Sequence, residues 1–232
     1  SMTDIAKQNA AQAALPYVKE GMVIGLGTGS TIAFFIKALG EKVRAGLDVK
    51  AIPTSEASAQ LAQAAGIELF IPDETTIIDL VIDGADEVEP GGAMIKGGGG
   101  ALLREKIIAQ AAEHFVMIAD QSKDVSQLGE FALPIEIDPF GWALTVRHIR
   151  DILRHQGFEG FSLDLRAAPE GGPLLSDGGH YIIDAQLGRI DHPAQLDRAL
   201  TMVPGVVTTG LFIDIAKTLI FGTQEGAETR HV

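Results

Sequence analysis

"MVIGLGTGSTIAFFIKALGEKV", residues 22–43, places a short apolar strand, a glycine-rich turn and a helix in succession. Residues 22–27 are apolar and end in glycine, and residues 30–43 follow as a helix. Strands that alternate with helices in this way are typical of βαβ units. The stretch therefore predicts an α/β fold, in which a parallel sheet is covered by helices on both faces.

The alternation continues on both sides of this stretch. Residues 4–19 have the pattern of an alanine-rich helix. Further strands are predicted at 49–55, 67–71, 77–86 and 115–120, and further helices at 56–66 and 101–115. Thr54 or Ser55 is the expected N-cap of the helix that begins at residue 56.

The pattern changes after about residue 126. Strands are predicted at 131–137, 161–166 and 180–187, with helices at 142–157 and 192–205, which together resemble a small α+β module. Two terminal strands, 206–213 and 218–223, are expected to return to the first domain. We therefore expect one domain from residues 2–126 plus 206–232 and a smaller one from residues 127–205.

Composition limits the classes of function. The chain has 18 Lys+Arg against 31 Asp+Glu, a formal net charge of −13. Nucleic acids and anionic membranes bind basic surfaces, so neither is an expected partner. The chain has no cysteine, which excludes disulfides and thiolate metal sites and fits a cytoplasmic location. No apolar run approaches the ~20 residues of a membrane span, and no basic-then-apolar leader is expected.

The turn "GLGTGST", residues 25–31, is a candidate anion site. Glycine-rich backbone followed by a helix N-terminus presents N–H groups to an anion, and Thr28, Ser30 and Thr31 add hydroxyl groups. The spacing does not match G-x-G-x-x-G, and the lysine of a P-loop is missing. A phosphate is therefore plausible, whereas a dinucleotide or a nucleoside triphosphate is not. A tight turn capped by Ser30 remains the alternative.

A second candidate is "DGADEVEP", residues 83–90, at the end of an apolar strand. Ligands of open α/β sheets bind beyond the carboxyl ends of the strands, which favours Asp83 and Asp86 as binding groups. Asp-Gly is also ordinary turn chemistry, so a purely structural turn is an alternative. No further ligand set for a metal ion is evident, and we favour recognition of hydroxyl groups.

A third candidate is "MIKGGGGALLREK", residues 94–106. Four consecutive glycines allow successive N–H groups to face an oxyanion, and Lys96 can add a positive charge. On a helical wheel we expect an apolar stripe through Leu103 and Ile107, with Glu105 at its edge. Partial desolvation would favour Glu105 as a general base, and a solvated surface glutamate is the alternative. The six histidines show no metal-binding spacing.

Taken together, "GLGTGST", "DGADE", "KGGGGALLREK" and "ADQSK" (119–123) resemble the type A ribose-5-phosphate isomerases in order and spacing. A later segment, "VPGVVTTGLF" (203–212), also matches the family pattern. The resemblance covers nearly the whole chain. It implies a Rossmann-like domain, a smaller ferredoxin-like α+β domain and a homodimer or homotetramer. The implied activity is a cofactor-free and metal-free interconversion of ribose 5-phosphate and ribulose 5-phosphate.

The resemblance also implies roles for individual residues. It makes Glu105 the general base, working through a cis-enediol, and assigns the oxyanion to Lys96 with the backbone of Gly97, Gly98 and Gly99. It places sugar hydroxyls at Asp83 and Asp86, with Asp83 also a candidate for proton exchange during ring opening. The remaining implied substrate contacts are Lys7, Thr28, Gly29, Ser30, Thr31, Gly84, Ala85 and Lys123.

Two segments depart from the family pattern. "YIIDAQL", residues 181–187, has Ala185-Gln186 where many members carry a different small–polar pair. "GLFIDIAKTLIFG", residues 210–222, has Asp214 and Lys217 where glycine or asparagine and then aspartate are more familiar. Two other classes compete with the isomerase. A non-catalytic sugar-phosphate sensor would require an output module, for which the chain has no spare length. An acyl- or CoA-transferase of similar fold would use a glutamate nucleophile.

Overall fold

The computed structural model describes residues 1–232, and two compact units separate within it. Unit 1 comprises residues 1–85, 104–124 and 214–232, and unit 2 comprises residues 86–103 and 125–213. The helices are α1 (Met2–Ala14), α2 (Ser30–Arg44), α3 (Glu56–Ala64), α4 (Leu102–Ala111), α5 (Trp142–His155) and α6 (Pro193–Thr201). No helix combines the length and the apolar character needed to cross a membrane.

The strands are short, and most coincide with predicted ones. In chain order they are β1 (Val23–Leu26), β2 (Lys50–Pro53), β3 (Glu68–Leu69), β4 (Leu80–Asp83), β5 (Glu87–Val88), β6 (Met94–Ile95), β7 (Phe115–Asp120), β8 (Leu133–Ile137), β9 (Ser162–Leu165), β10 (Tyr181–Gln186), β11 (Val206–Thr209), β12 (Leu211–Phe212), β13 (Thr218–Gly222) and β14 (Ala227–His231). The prediction missed β5, β6 and β14.

Unit 1 is built on a seven-stranded sheet with the order β14-β13-β7-β4-β1-β2-β3. All neighbouring strands run parallel except the edge strand β14, which is antiparallel to β13. Setting β14 aside, the order of the successive strands is 3-2-1-4-5-6, that of the doubly wound Rossmann fold. The α/β prediction is confirmed. The chain reverses its direction of winding between β1 and β4, where such folds bind their ligands.

Helices cover both faces of this sheet, because its strands are apolar on both sides. Ile24 and Leu26 of β1 lie in a core cluster with Phe35 of α2 and Ala14 of α1. Gly25 faces the other side, where α4 packs. A Cβ at Gly25 would lie 2.6 Å from a methyl carbon of Ile108. The absence of a side chain at Gly25 therefore lets α4 approach the middle of the sheet.

Gly27 brings the end of β1 against β4. Its N–H donates to the carbonyl of Ile82 at 2.9 Å, and the next N–H, of Thr28, donates to a carboxylate oxygen of Asp83 at 3.3 Å. A Cβ at Gly27 would overlap the Asp83 carboxylate. Only glycine at this position allows the strand ends to lie this close.

Unit 2 contains a four-stranded antiparallel sheet with the order β11-β8-β10-β9. The chain runs β8-α5-β9-β10-α6-β11, which is the ferredoxin-like arrangement. Ile149 of α5 and Leu200 of α6 are buried with Ile135 and Ile183 of the sheet. The first five elements, β8 to α6, follow the predicted order. The strand β11, which we expected in the first domain, instead completes this sheet by pairing with β8.

A second, three-stranded sheet of unit 2 has the order β12-β6-β5. Its strands come from residues 86–103 and 206–213, which belong to unit 2. The sequence pattern instead predicts both segments in the first domain. β12 pairs with β6, and β11 pairs with β8. These pairings join segments far apart in the chain, so no local sequence pattern indicates them.

Asp214 is the one non-glycine residue with a left-handed backbone, at φ 57°. Glycine and asparagine adopt this conformation more readily than other residues. The glycine or asparagine that the resemblance leads us to expect here would adopt this conformation more readily than the aspartate of this chain.

His114, just before β7, has a lowered pKa. Burial is the main cause, and the nearby His231 imidazole adds to it. Its ring packs edge-on against Tyr17, with the ring centroids 5.7 Å apart, and Nε2 lies 2.9 Å from the hydroxyl of Thr218. The folded state therefore favours the neutral imidazole.

This lowered pKa makes unfolding depend on pH. The unfolded chain binds more protons at His114 than the folded chain does, so the imidazole's contribution to stability is lost as pH falls below the ordinary value of 6.5. We expect the free energy of unfolding of the His114→Gln variant to fall less steeply than wild type over this range. Urea unfolding at a series of pH values measures both slopes, and equal slopes would contradict the assignment.

The close approach at Gly27 predicts the effect of a single added methyl group. Gly27→Ala should lower the free energy of unfolding by about 1–3 kcal/mol, the usual cost of overpacking, and displace Asp83. A Cβ at Gly91 meets nothing within 4 Å, so Gly91→Ala is the matched control. Urea unfolding of both variants tests this, and equal stabilities would show that β1 and β4 can separate without cost.

Candidate active site

In unit 1, three of the predicted segments lie at the carboxyl ends of neighbouring parallel strands. "GLGTGST" (25–31) begins in the last two residues of β1, "DGA" (83–85) begins at the last residue of β4, and "ADQSK" (119–123) begins in the last two residues of β7. The order of the sheet places β4 between β1 and β7. Since parallel strands all end at the same edge, the topology brings Thr28, Asp83 and Lys123 to one side of the sheet.

Asp83 is fully buried at the end of β4. One of its oxygens accepts from the N–H of Gly84 at 2.7 Å as well as from that of Thr28. These two bonds fix the position of the carboxylate. They also tie the turn after β4 to the turn after β1.

Thr28 is held by a cluster of hydroxyl groups from the segment between β2 and α3. Its Oγ1 lies 3.0 Å from Thr54 Oγ1 and 2.9 Å from Ser55 Oγ. Thr54 also donates to the carbonyl of Leu26, and Ser58 to that of Gly27. The sequence indicated Thr54 and Ser55 only as possible caps. Ser55 is indeed the N-cap of α3, accepting from the Ser58 N–H at 3.0 Å.

The first turn of α2 follows directly. Gly29 is the N-cap, with φ 115°, and the helix begins at Ser30. No side chain caps the first N–H groups, which therefore face outward with the positive end of the helix dipole. The Lys7 ammonium, from α1, donates to Ser30 Oγ at 2.7 Å. A cation, hydroxyl groups and helical N–H groups thus meet at this terminus, as an anion site requires.

Glu105 lies in the first half of α4, where the prediction of the buried face was wrong. Ile107, which we expected in the apolar stripe, is 57% exposed, while Leu102, Glu105, Ile108 and Ala109 are buried. The helix has apolar residues on every side, so periodicity alone could not select the buried one. Glu105 therefore lies within the buried face, 4% exposed, one turn from the Ile108 side chain that packs against β1.

Lys123 ends a short 3₁₀ turn after β7. Asp120 caps this turn by accepting from the Ser122 N–H at 3.1 Å. The next residue, Asp124, forms a two-bond ion pair with Arg230 of β14 at 2.7 and 3.1 Å. The C-terminal strand thereby anchors the backbone next to Lys123, a link that the sequence did not indicate.

In unit 2, the candidate residues lie around the β5–β6 hairpin. Lys96 is 2% exposed. Its N–H donates to the carbonyl of Gly210 at 2.8 Å, and its ammonium lies 5.5 Å from the centre of the Phe212 ring. Asp86 accepts from the N–H of Gly98 at 2.8 Å. Asp86 thus holds the glycine loop, residues 96–100.

At three of the four positions in this loop, the structure explains why the residue is glycine. Gly97 and Gly100 have φ values of 111° and 82°, in the left-handed region. At Gly98 a Cβ would lie 2.8 Å from an Asp86 oxygen and 3.0 Å from the Phe131 ring. The loop therefore needs glycine for its backbone conformation at two positions and for close packing at a third.

Known proteins share this sequence and fold. Residues 50–226 match the family model described as ribose 5-phosphate isomerase A (phosphoriboisomerase A). A ribose-5-phosphate isomerase A of Rhodopseudomonas palustris strain HaA2 is 50% identical over 223 residues, 96% of each chain.

Solved structures agree. A D-ribose-5-phosphate isomerase in complex with phospho-erythronic acid superposes with a TM-score of 0.93 at 38% identity, covering 99% of each chain. A ribose 5-phosphate isomerase A from Methanocaldococcus jannaschii gives a TM-score of 0.91 at 38% identity over the full length of both chains. On the evidence of the family model, the curated relative and the shared fold, the chain belongs to the ribose-5-phosphate isomerase A family and is a pentose-phosphate isomerase.

Proposed function

We propose that the protein interconverts D-ribose 5-phosphate and D-ribulose 5-phosphate through a cis-enediol, with Glu105 as the general base. Glu105 takes the C2 proton of the open-chain aldose, and the electron pair moves toward O1 as the enediolate forms. The carboxyl group then returns the proton to C1, while the hydroxyl proton moves from O2 to O1. The observation that carries this assignment is a carboxylate in the buried face of α4, 4% exposed.

The enediolate requires a preorganised positive environment. We assign this role to the Lys96 ammonium and to backbone N–H groups of the glycine loop. Because the N–H of Gly98 already donates to Asp86, we assign direct donation to Gly97 and Gly99, whose N–H groups make no hydrogen bond within unit 2. Gly98 then serves to hold the loop in place.

The sugar hydroxyls are assigned to the turn after β4. Asp83 is fixed by two N–H donors and is positioned to accept from a hydroxyl and to exchange a proton during ring opening. The backbone of Gly84 and Ala85 and the carboxylate of Asp86 complete this group. Phospho-erythronic acid, bound by the related isomerase of known structure, carries a carboxylate that resembles the enediolate, and we expect it to inhibit this protein.

The phosphate is assigned to the N-terminus of α2. Ser30 and Thr31 supply hydroxyl and N–H groups, Thr28 and Gly29 shape the turn, and Lys7 supplies charge, with Lys123 as a further cation. The Lys7–Ser30 bond of 2.7 Å supports this arrangement. We further propose that the reaction needs no metal ion or cofactor, and that the protein is a cytoplasmic homodimer or homotetramer.

The role of Glu105 as general base can be tested by substitution. After EDTA treatment, wild type should isomerise ribose 5-phosphate, and Glu105→Gln should lower kcat at least ~10²-fold with little change in KM, because the amide cannot accept the C2 proton. Glu113→Gln, at an exposed glutamate beyond the end of α4, is the matched control. Near-normal turnover in Glu105→Gln would remove the residue from this role. If wild type binds ribose 5-phosphate but does not isomerise it, the result would favour the alternative function, a non-catalytic sugar-phosphate sensor.

The assignment of the phosphate to the N-terminus of α2 can be tested in the same way. The double variant Ser30→Ala, Thr31→Ala should raise KM about tenfold or more, the scale of hydrogen bonds to a charged group, while kcat changes little. The phosphate is remote from the reacting carbons, which is why binding and turnover should separate. Thr75→Ala, Thr76→Ala removes two adjacent hydroxyls that bond only to Asp73 and is the control. An unchanged KM in the first variant would contradict the assignment.

A further inference from the structure

We infer that Arg166 is a positioning residue that sets the direction of the Gly99 N–H in the glycine loop. The inference rests on the proposed function, in which that N–H stabilises the enediolate. Arg166 directly follows β9, and its own N–H donates to the carbonyl of Ile182 in β10. This bond attaches its backbone to the edge of the four-stranded sheet, next to the pairing of β9 with β10.

The guanidinium contacts the glycine loop with one nitrogen and the sheet with the other two. Nη1 donates to the carbonyl of Gly97 at 3.0 Å and to that of Gly98 at 3.1 Å. Nε and Nη2 donate to the two oxygens of Asp184 at 2.9 and 2.6 Å. Asp184 lies in β10, so the ion pair fixes the guanidinium plane relative to the sheet.

These contacts determine where the neighbouring N–H groups point. A trans peptide is planar, with its C=O and N–H in opposite directions. The plane that joins Gly97 to Gly98 is held on both sides, by Arg166 at the carbonyl and by Asp86 at the N–H. The plane that joins Gly98 to Gly99 is held by Arg166 at the carbonyl. The N–H of Gly99 must therefore point away from Arg166.

External restraint is necessary because glycine backbone has more conformational freedom than any other residue. The planar guanidinium carries donors on three nitrogens and can hold a carboxylate and two carbonyls at once. A lysine ammonium has its three donors on a single nitrogen and no fixed plane. The side chains of Arg166 and Asp184 are 15% and 24% exposed. Partial burial protects the ion pair from the screening that weakens surface pairs.

The test compares Arg166→Lys and Arg166→Ala with wild type. We expect kcat to fall by about 10–10²-fold, somewhat less than the loss of a whole oxyanion donor, with KM changed less than about threefold because the phosphate contacts are untouched. Guanidinium ion at millimolar concentration should restore part of the kcat of Arg166→Ala. Asp184→Asn, which leaves the arginine without its charged partner, should act in the same direction. Arg189→Ala is the control, since Arg189 is 71% exposed and pairs with Asp191.

Hydrogen–deuterium exchange of peptides within residues 94–103 tests the same inference without activity. Exchange should be at least about tenfold faster in Arg166→Lys than in wild type or Arg189→Ala, because local opening controls exchange. Unchanged exchange and unchanged kcat would overturn the inference, as would a raised KM with normal kcat. If wild type does not isomerise ribose 5-phosphate, the proposed function fails, and the exchange rates still decide whether Arg166 holds the loop. If Arg166→Ala does not fold, the kcat values and exchange rates of Arg166→Lys and Asp184→Asn test the inference in its place.

Discussion

The close approach of β1 to β4 is the constraint on which unit 1 depends. It requires glycine at two positions. Gly25, within β1, makes room for the helix α4, and Gly27, just after β1, makes room for the Asp83 carboxylate. Once the two strands are paired, parallel geometry sends both following turns to the same edge. The hydrogen bonds of Asp83 then join these turns. The position of the fully buried carboxylate is thus a consequence of backbone packing rather than of a flexible loop.

In unit 2, the main constraint is that a loop of four consecutive glycines must be held in one conformation. Residues 97–100 are all glycine, so the loop has no side-chain packing of its own to limit its conformations. One backbone hydrogen bond lies within the loop, from the N–H of Gly100 to the carbonyl of Gly97 at 2.9 Å. Further order comes from neighbours that carry charge, since Asp86 holds an N–H and Arg166 holds two carbonyls. Charge-assisted hydrogen bonds are the strongest available for this purpose. The regular sheet behind Arg166 supplies the rigidity that the loop lacks.

The overall charge of −13 does not prevent a unit 1 helix from accepting an anion. Screening at physiological salt limits surface electrostatics to about 8 Å, so distant carboxylates contribute little. At the N-terminus of α2, the local field comes from the helix dipole and from Lys7. The hydroxyl cluster beneath Thr28 holds the turn that presents these groups. A locally positive surface can therefore exist on a strongly acidic protein.

Local sequence pattern was sufficient to predict the α/β class, a small α+β module, an N-cap at Thr54 or Ser55 and the candidate segments, because these depend on periodicity, glycine and local capping. The ferredoxin-like arrangement was implied only by the resemblance to a known family. Tertiary structure decided the buried face of α4, where apolar residues surround the helix and only packing against Gly25 selects a side. It also decided the two-residue strands β5 and β6, which are too short to show a period, and the polar edge strand β14. The role of Arg166 depends on tertiary structure most of all, since its partners lie 18 to 69 positions away along the chain. Local pattern indicates which secondary structure a segment can form. Contacts between distant segments determine which of its faces is buried and which groups its charged side chains bind.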